Sequence, residues 1–330
     1  MNARWDPTRR ELAWNVSSLQ PAFLGRGFGS ARGVDSGRIG PIVRLPSGRT
    51  LFSFEWDNFS KPDGSSQHAN ITIAYVDKKS SRWQLSRTQA PAGHPMVAGE
   101  ARCDGANEPT TVELGNGTLL TLFRTQTGRL WRTMSHDSGT TVEPATMTNF
   151  TSSDSPAMLL RLTHPSWAQS GQGTAPLLLL WSNCQSSWPL ACSAGGPADP
   201  SGDCLYAARW ALHASISTNQ GRTFGGAMEI YRDPHERTPP ASEAGDYGAS
   251  YPYGVEQSDG TVIVKTGQSG TMPARFGIFV LDPRWLLRKT KAADWASAEA
   301  AEHWNSSIVS HDSTITSCVC KRTDITEPRS

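Results

Sequence analysis

No apolar run in this chain approaches the roughly 20 residues that a membrane-spanning helix needs, so no membrane span is expected. Charge of one sign is missing too: 31 Lys and Arg stand against 30 Asp and Glu, a net charge of +1, with no basic stripe. That balance argues against nucleic acid as a partner. The first ten residues hold no apolar h-region and do not read as a signal peptide. Helical periodicity is scarce from residue 37 to about 285, which argues against a doubly wound sheet. His94, His136 and His213 are scattered, and the cysteines at 103, 184, 192, 204, 318 and 320 lack zinc-knuckle spacing, so no metal and no cofactor is expected.

What is present suits a turn-rich β protein: 12 Trp, 30 Gly and 22 Pro in 330 residues. Short apolar or alternating runs read as strands at Thr50 to Glu55, Ile71 to Val76, Leu119 to Arg124, Leu177 to Trp181, Ala211 to Ser217, Val262 to Thr266 and Gly277 to Leu281. One pattern recurs: a proline, an apolar stretch, a glycine turn and a second apolar stretch. It starts at Pro41, Pro109 and Pro252, and more loosely at Pro156, resuming at Pro176. Each copy reads as a β-hairpin, and hairpins repeated along a chain point to a β-propeller, in which radial repetition protects sheet edges.

Two octets sharpen this. Ser217-Thr-Asn219-Gln-Gly221-Arg-Thr223-Phe224 fits the pattern Ser-x-Asp/Asn-x-Gly-x-Thr-aromatic, and Ser135-His-Asp137-Ser-Gly139-Thr-Thr141-Val142 fits it except at its last position. The Asp or Asn side chain is suited to accept hydrogen bonds from turn amides, a structural role. These octets resemble the Asp-box repeats of the sialidase superfamily. The stretch from Cys103 through Asn107-Glu108-Pro109 to Arg124 is similar to the Asn-Glu-Pro hairpin of the sialidase-like glycosidases with BNR repeats. The resemblance runs over residues 37 to 287.

It implies an all-β, six-bladed β-propeller, with a glycan as the partner in its central pocket. Residues just before each repeat proline then face the ligand: Arg38 near Pro41, Glu108, Ser155 and Tyr251. Sialic acid carries a carboxylate on its anomeric carbon. Arginines grip that group, and a carboxylate nucleophile would be repelled by it, so such enzymes use a tyrosine activated by a glutamate, with an aspartic acid as proton donor. The resemblance thus nominates Tyr251 as nucleophile, Glu108 as its partner, and Asp57 or Asp63 as the acid. Arg38, Arg124 and Arg209 become the carboxylate clamp. Arg38 departs from the family's Arg-Ile-Pro by an added Gly40; Arg124 and Arg209 read equally as ion pairs, Asp57 and Asp63 as turn residues, and Tyr247 and Tyr253 remain rival pocket tyrosines.

The expected organisation is an N-terminal extension or edge strand over 1–36, the propeller over 37–287 and a tail over 288–330, with a helix in the Ala/Glu-rich part from Lys291 to Trp304. Some 250 residues of strand pattern fill four to five blades at about 50 residues each, so either the two ends complete a ring of six or the chain is truncated. A truncated product would expose apolar strands at 37–54 or 262–281. Six Asn-x-Ser/Thr sequons, at Asn15, Asn58, Asn70, Asn116, Asn149 and Asn305, exceed the roughly two expected by chance and suggest a secreted glycoprotein. Cys184, Cys192 and Cys204 read equally as a disulfide-stapled insertion or as free thiols. The leading function is a retaining exo-glycosidase on a terminal acidic sugar. The rivals are a non-catalytic glycan-binding propeller and a lyase or hydrolase for another sugar.

Overall fold

The computed structural model describes residues 2–6, 11–15, 40–57, 69–80, 82–90, 106–125, 129–152, 155–170, 175–182, 185–186, 211–232, 249–267, 277–289, 296–297 and 319–320. Strands β1 (Asn2–Asp6) and β2 (Glu11–Asn15) pair antiparallel within the stretch expected as an N-terminal extension or edge strand. Four antiparallel sheets follow in chain order. The first blade holds β3 (Val43–Arg44), β4 (Thr50–Asp57), β5 (Ala69–Val76) and β6 (Gln84–Leu85). The second holds β7 (Asn107–Gly115), β8 (Thr118–Arg124), β9 (Arg129–Ser135) and β10 (Thr146–Thr151). The third begins with β11 (Met158–Arg161) and β12 (Leu177–Ser182); after β13 (Gln185–Ser186), which lies outside the sheet, it continues with β14 (Ala211–Ser217) and β15 (Thr223–Arg232). The fourth holds β16 (Tyr253–Glu256), β17 (Val262–Thr266) and β18 (Gly277–Leu281).

Among the described residues the one α-helix, α1 (Pro283–Lys289), comes earlier than the helix expected over 291–304, and a 3-10 helix spans Pro165–Ser170. Within that expected span, β19 (Ala296–Ser297) is extended and pairs with Thr223 and Phe224 at the edge of β15. Strand β20 (Val319–Cys320) pairs in parallel with β13.

Each blade is a meander whose two faces are set by strand parity. On the first blade Leu51, Ile71, Ile73 and Tyr75 face Leu119, Phe123 and Trp131 of the second. Val112, Leu120, Leu122 and Phe150 of the second face Leu159, Leu179, Trp181 and Phe224 of the third. Trp181 and Phe224 meet Phe150 edge-on at 5.4 Å and 5.3 Å between ring centroids. Each such pair contributes about 0.5–1.5 kcal/mol beyond the area it buries. Leu178, Leu180, Leu212, Ala214 and Ile216, on the other face of the third blade, bury against Val262, Val264 and Leu281 of the fourth. The stack therefore has apolar seams on both faces of its inner blades, as a propeller requires.

The turns follow from sequence. Asn116 and Gly117, with φ of 53° and 78°, form the two central residues of the β7–β8 hairpin, a type I′ geometry that Asn-Gly favours. The two octets fold bond for bond alike. Ser135 Oγ donates to Asp137 Oδ1 (3.0 Å) and accepts from Gly139 N (2.9 Å), while Asp137 Oδ1 accepts from Thr141 N (2.8 Å). Ser217, Asn219, Gly221 and Thr223 repeat this at 3.0, 2.9 and 2.9 Å. Burial is the largest single effect on the Asp137 carboxyl and raises it, but the bonds from Thr141, Ser135 and Thr140 together hold it below its usual range.

Candidate functional site

The site lies where the first strands of the blades begin. Gly40 N donates to Ser53 O at 2.8 Å, and a Cβ on Gly40 would sit 2.6 Å from Ser53 Oγ and 2.7 Å from the Pro109 carbonyl oxygen. The residue before the first repeat proline thus touches the second, and only glycine fits so close an approach. Thr111 Oγ1 joins Ser53 Oγ and Thr121 Oγ1, each at 2.7 Å, in a buried hydroxyl chain linking the same two blades.

Glu108 and Tyr251, each directly before a repeat proline, adopt left-handed backbone geometry with φ of 45° and 54°. For residues with a Cβ this costs about 1–2 kcal/mol each, and it persists only where neighbours over-determine it. At Glu108 the β7–β8 register shifts between Asn107 and Thr110, an irregularity that re-aims the side chain, and its N–H donates to Glu55 Oε2 at 2.7 Å. Ahead of Tyr251, Ser182 Oγ donates to Ala249 O (3.1 Å), while Gly267 N and Thr266 Oγ1 donate to Ser250 O (2.7 and 3.1 Å).

These constraints bring three sequence-nominated residues together. Arg124 Nη1 donates to Glu108 Oε2 at 2.8 Å and to Tyr251 Oη at 3.3 Å, the latter contact spanning 127 residues and joining the second blade to the fourth. Glu108 and Arg124 are 6% and 8% exposed, so the ion pair is buried. The Glu108 carboxylate and the Tyr251 phenol therefore share one guanidinium, and the Glu55 carboxylate holds the Glu108 backbone N–H. Around them Asn107 Nδ2, Ser155 Oγ and Ser250 Oγ are buried and find no hydrogen-bond partner among the described residues. Buried polar groups in this state are suited to a polar ligand.

Sequence reasoning missed Glu55. The signal was strand parity: Leu51, Ser53 and Glu55 alternate onto the inner face of β4, leaving a glutamate where an apolar residue is the rule. Asp57 ends that strand, and nothing of its side chain is described; Arg38, Asp63, Arg209 and Tyr247 lie outside the described residues, as do the cysteines at 103, 184, 192, 204 and 318. Tyr253 is no pocket residue, because β16 turns it to the outer face of the fourth blade, 48% exposed. Among the described residues no three His, Cys, Asp or Glu gather as metal ligands, and no helix is long and apolar enough to cross a membrane.

The buried His213 lies apart from this centre, on β14 beside Trp181 and across from Glu229. Burial pushes its imidazole down to about 4, with the Glu229 carboxylate opposing in part.

The chain is similar to solved sialidases. The NanB sialidase of Streptococcus pneumoniae is 16% identical over 74% of this chain and 31% of that one, with a TM-score of 0.46. The Trypanosoma rangeli sialidase in complex with sialic acid is 12% identical over 84% of this chain and 36% of that one, at 0.49. A Dyadobacter fermentans protein of unknown function is 16% identical over 74% and 52%, at 0.43. Similarities of this size transfer no residue role, and the chain spans about a third of the length of those sialidases. No curated protein matches the chain. The BNR repeat-like domain model matches residues 42–264, which covers all four blades from their first strand into β17, and the chain belongs to that family.

Proposed function

We propose that this chain carries the reaction centre of a sialidase-like exo-glycosidase, a retaining hydrolase of a terminal acidic sugar, in a ring of six blades. The observation that carries the reading is the Arg124 guanidinium held between Glu108 and Tyr251. A guanidinium beside a phenol oxygen favours negative charge there, as a nucleophile requires, and Glu108 is the base that takes the phenol proton. Arg124 also supplies paired N–H donors for the sugar carboxylate, sharing that role with Arg38 and Arg209. Tyr251 attacks the anomeric carbon, an aspartic acid, Asp57 or Asp63, protonates the leaving oxygen, and water then releases the sugar with retention. The sequons support action outside the cell.

A second reading, glycan binding without cleavage, is favoured by the buried donors Asn107, Ser155 and Ser250, which would serve a bound sugar equally well. The discriminating experiment measures release of 4-methylumbelliferone from its α-sialoside by the wild type and Tyr251→Phe, with an unsaturated-uronate absorbance assay in parallel. Turnover by the wild type that Tyr251→Phe loses, while the variant keeps the wild-type unfolding midpoint, supports the tyrosine mechanism. Silence of the folded wild type in both assays overturns hydrolysis of sialosides and cleavage of uronates, and leaves glycan binding.

A further inference from the structure

We propose that Glu55 is a positioning residue, which holds the Glu108 peptide so that the Glu108 carboxylate stays on Arg124 beside Tyr251, a role that rests on the reading of Glu108 and Tyr251 as base and nucleophile.

Glu55 stands at a position that the blades repeat. Alternate side chains on a strand share a face, and on the second strand of each of the first three blades one such row looks toward the following blade. The rows are Leu51, Ser53 and Glu55 on β4, Leu120, Leu122 and Arg124 on β8, and Leu178, Leu180 and Ser182 on β12. Leu51 shares its apolar cluster with Leu119 and Phe123 of the second blade, Leu120 and Leu122 theirs with Leu159 and Leu179 of the third, and Leu178 and Leu180 theirs with Val262 and Val264 of the fourth. Glu55, Arg124 and Ser182 therefore take the same third place in equivalent rows.

From that place each reaches the entry of another blade. Glu55 Oε2 accepts from Glu108 N at 2.7 Å, and Ser182 Oγ donates to Ala249 O, two residues before Tyr251, at 3.1 Å. Arg124 Nη1 donates to Tyr251 Oη at 3.3 Å. The guanidinium meets a reacting side chain directly, whereas Glu55 and Ser182 grip main-chain atoms at or next to the residues that carry the chemistry.

The bond from Glu55 restrains an unfavourable backbone. Glu108 has φ of 45°, and the register shift between Asn107 and Thr110 takes its N–H out of the regular ladder of β7 and β8. A buried N–H in such a place needs an acceptor, and Glu55, 5% exposed, supplies an ionisable one. Turning the peptide between Asn107 and Glu108 would break this bond and swing the Glu108 side chain away from Arg124 Nη1, which it meets at 2.8 Å. Left-handed geometry is unfavourable for a residue with a Cβ, so loss of the acceptor favours that turn.

The test compares the wild type with Glu55→Gln, which keeps an acceptor at the same reach, Glu55→Ala, which removes it, and Glu55→Asp, which keeps the carboxylate but draws it back by one methylene. The aspartate variant guards against misfolding of the alanine variant. Crystal structures of these proteins report the Glu108 peptide and its bond to Arg124 whether or not a sialoside is cleaved, and kcat and KM are measured on the 4-methylumbelliferyl α-sialoside. In Glu55→Ala and Glu55→Asp the Glu108 peptide should leave the left-handed region and the 2.8 Å bond to Arg124 should be lost, while Glu55→Gln keeps both. Misplacement of this kind should lower kcat about 100-fold with KM within about threefold of the wild type, and Glu55→Gln should restore kcat to within about threefold. A Glu108 that stays in place in both the alanine and the aspartate variants overturns the proposal. So does an unchanged kcat per folded molecule in those variants, which would make Glu55 an element of stability alone. A wild type silent on the sialoside overturns the reading of the site, and the crystal structures then decide by themselves for or against Glu55.

Discussion

Replacing Arg124 by methionine tests whether the Arg124–Glu108 pair holds the centre together. The side chains are 9% and 7% exposed, so solvent screens the pair little and its removal leaves a carboxylate in a dry site. Breaking a buried pair from one side costs about 3–5 kcal/mol, a large share of the 5–15 kcal/mol by which domains are stable. The arithmetic changes when both charges go. Arg124→Met/Glu108→Gln strands no ion, so it should be less destabilised than the sum of the single variants, with a coupling of about 2–3 kcal/mol. Urea unfolding followed by tryptophan fluorescence at pH 7 gives the three values. The same proteins in the sialoside assay separate the roles: the double variant should fold best of the three relative to that sum and still turn over nothing. Additivity within about 0.5 kcal/mol would refute the reasoning, because two groups bonded at 2.8 Å in a buried site cannot be energetically independent.

The carboxylate of Glu55 takes the Glu108 N–H, so Glu55→Ala should cost about 1–3 kcal/mol by stranding that donor; Glu55→Gln, which keeps an acceptor, should cost under half as much in the same urea assay. His213 predicts an acid sensitivity. Its folded value of about 4 lies below the unfolded 6.5, so the unfolded chain binds the proton first, and stability is complete above pH 6.5 and lost as pH falls toward 4. At about 1.4 kcal/mol per unit the loss reaches about 3 kcal/mol. Urea midpoints at pH 7, 6 and 5 should decline in the wild type and stay nearly level in His213→Gln, whereas Glu229 and Asp137, whose carboxyls are held low, add their losses only at lower pH.

Strands whose edges coincide with a change of chemistry were legible in the sequence to the residue. Strand β14 runs from Ala211 to the serine that opens an octet, β17 starts after Gly260-Thr261, and β18 starts at Gly277 and stops before Asp282-Pro283. Helix α1 was missed because seven residues hold too little periodicity to register. The pairing of β1 with β2 was not legible, although Ala3 and Trp5 alternate with polar residues in one strand and Leu12 and Trp14 in the other, because two such positions per strand are too few to set a period. In the site, Glu108 and Tyr251 were legible through the repeated proline, a local signal. That Arg124 would bond both was not, since the contact to Tyr251 closes over 127 residues and depends on how the blades fan.

The repeat proline explains why chemistry collects at these positions. Proline fixes its own φ and restricts the residue before it, so each blade begins with one residue whose backbone has little freedom and whose side chain is aimed by the blade. At Gly40 the approach of Pro109 O excludes any side chain, and at Ser155 a buried hydroxyl fills the place. At Glu108 and Tyr251 the chain instead accepts a left-handed conformation, which the bonds to Glu55 and to Ala249 and Ser250 must offset. Strain at two of four related positions, on the two residues that share Arg124, is not a requirement of the blade, since Gly40 and Ser155 begin theirs without positive φ. It is a property of the cluster, and Glu108→Gly, which breaks the Arg124 pair but relieves the left-handed strain, should be about 1–2 kcal/mol more stable in urea unfolding than Glu108→Ala, which breaks the pair and keeps the strain.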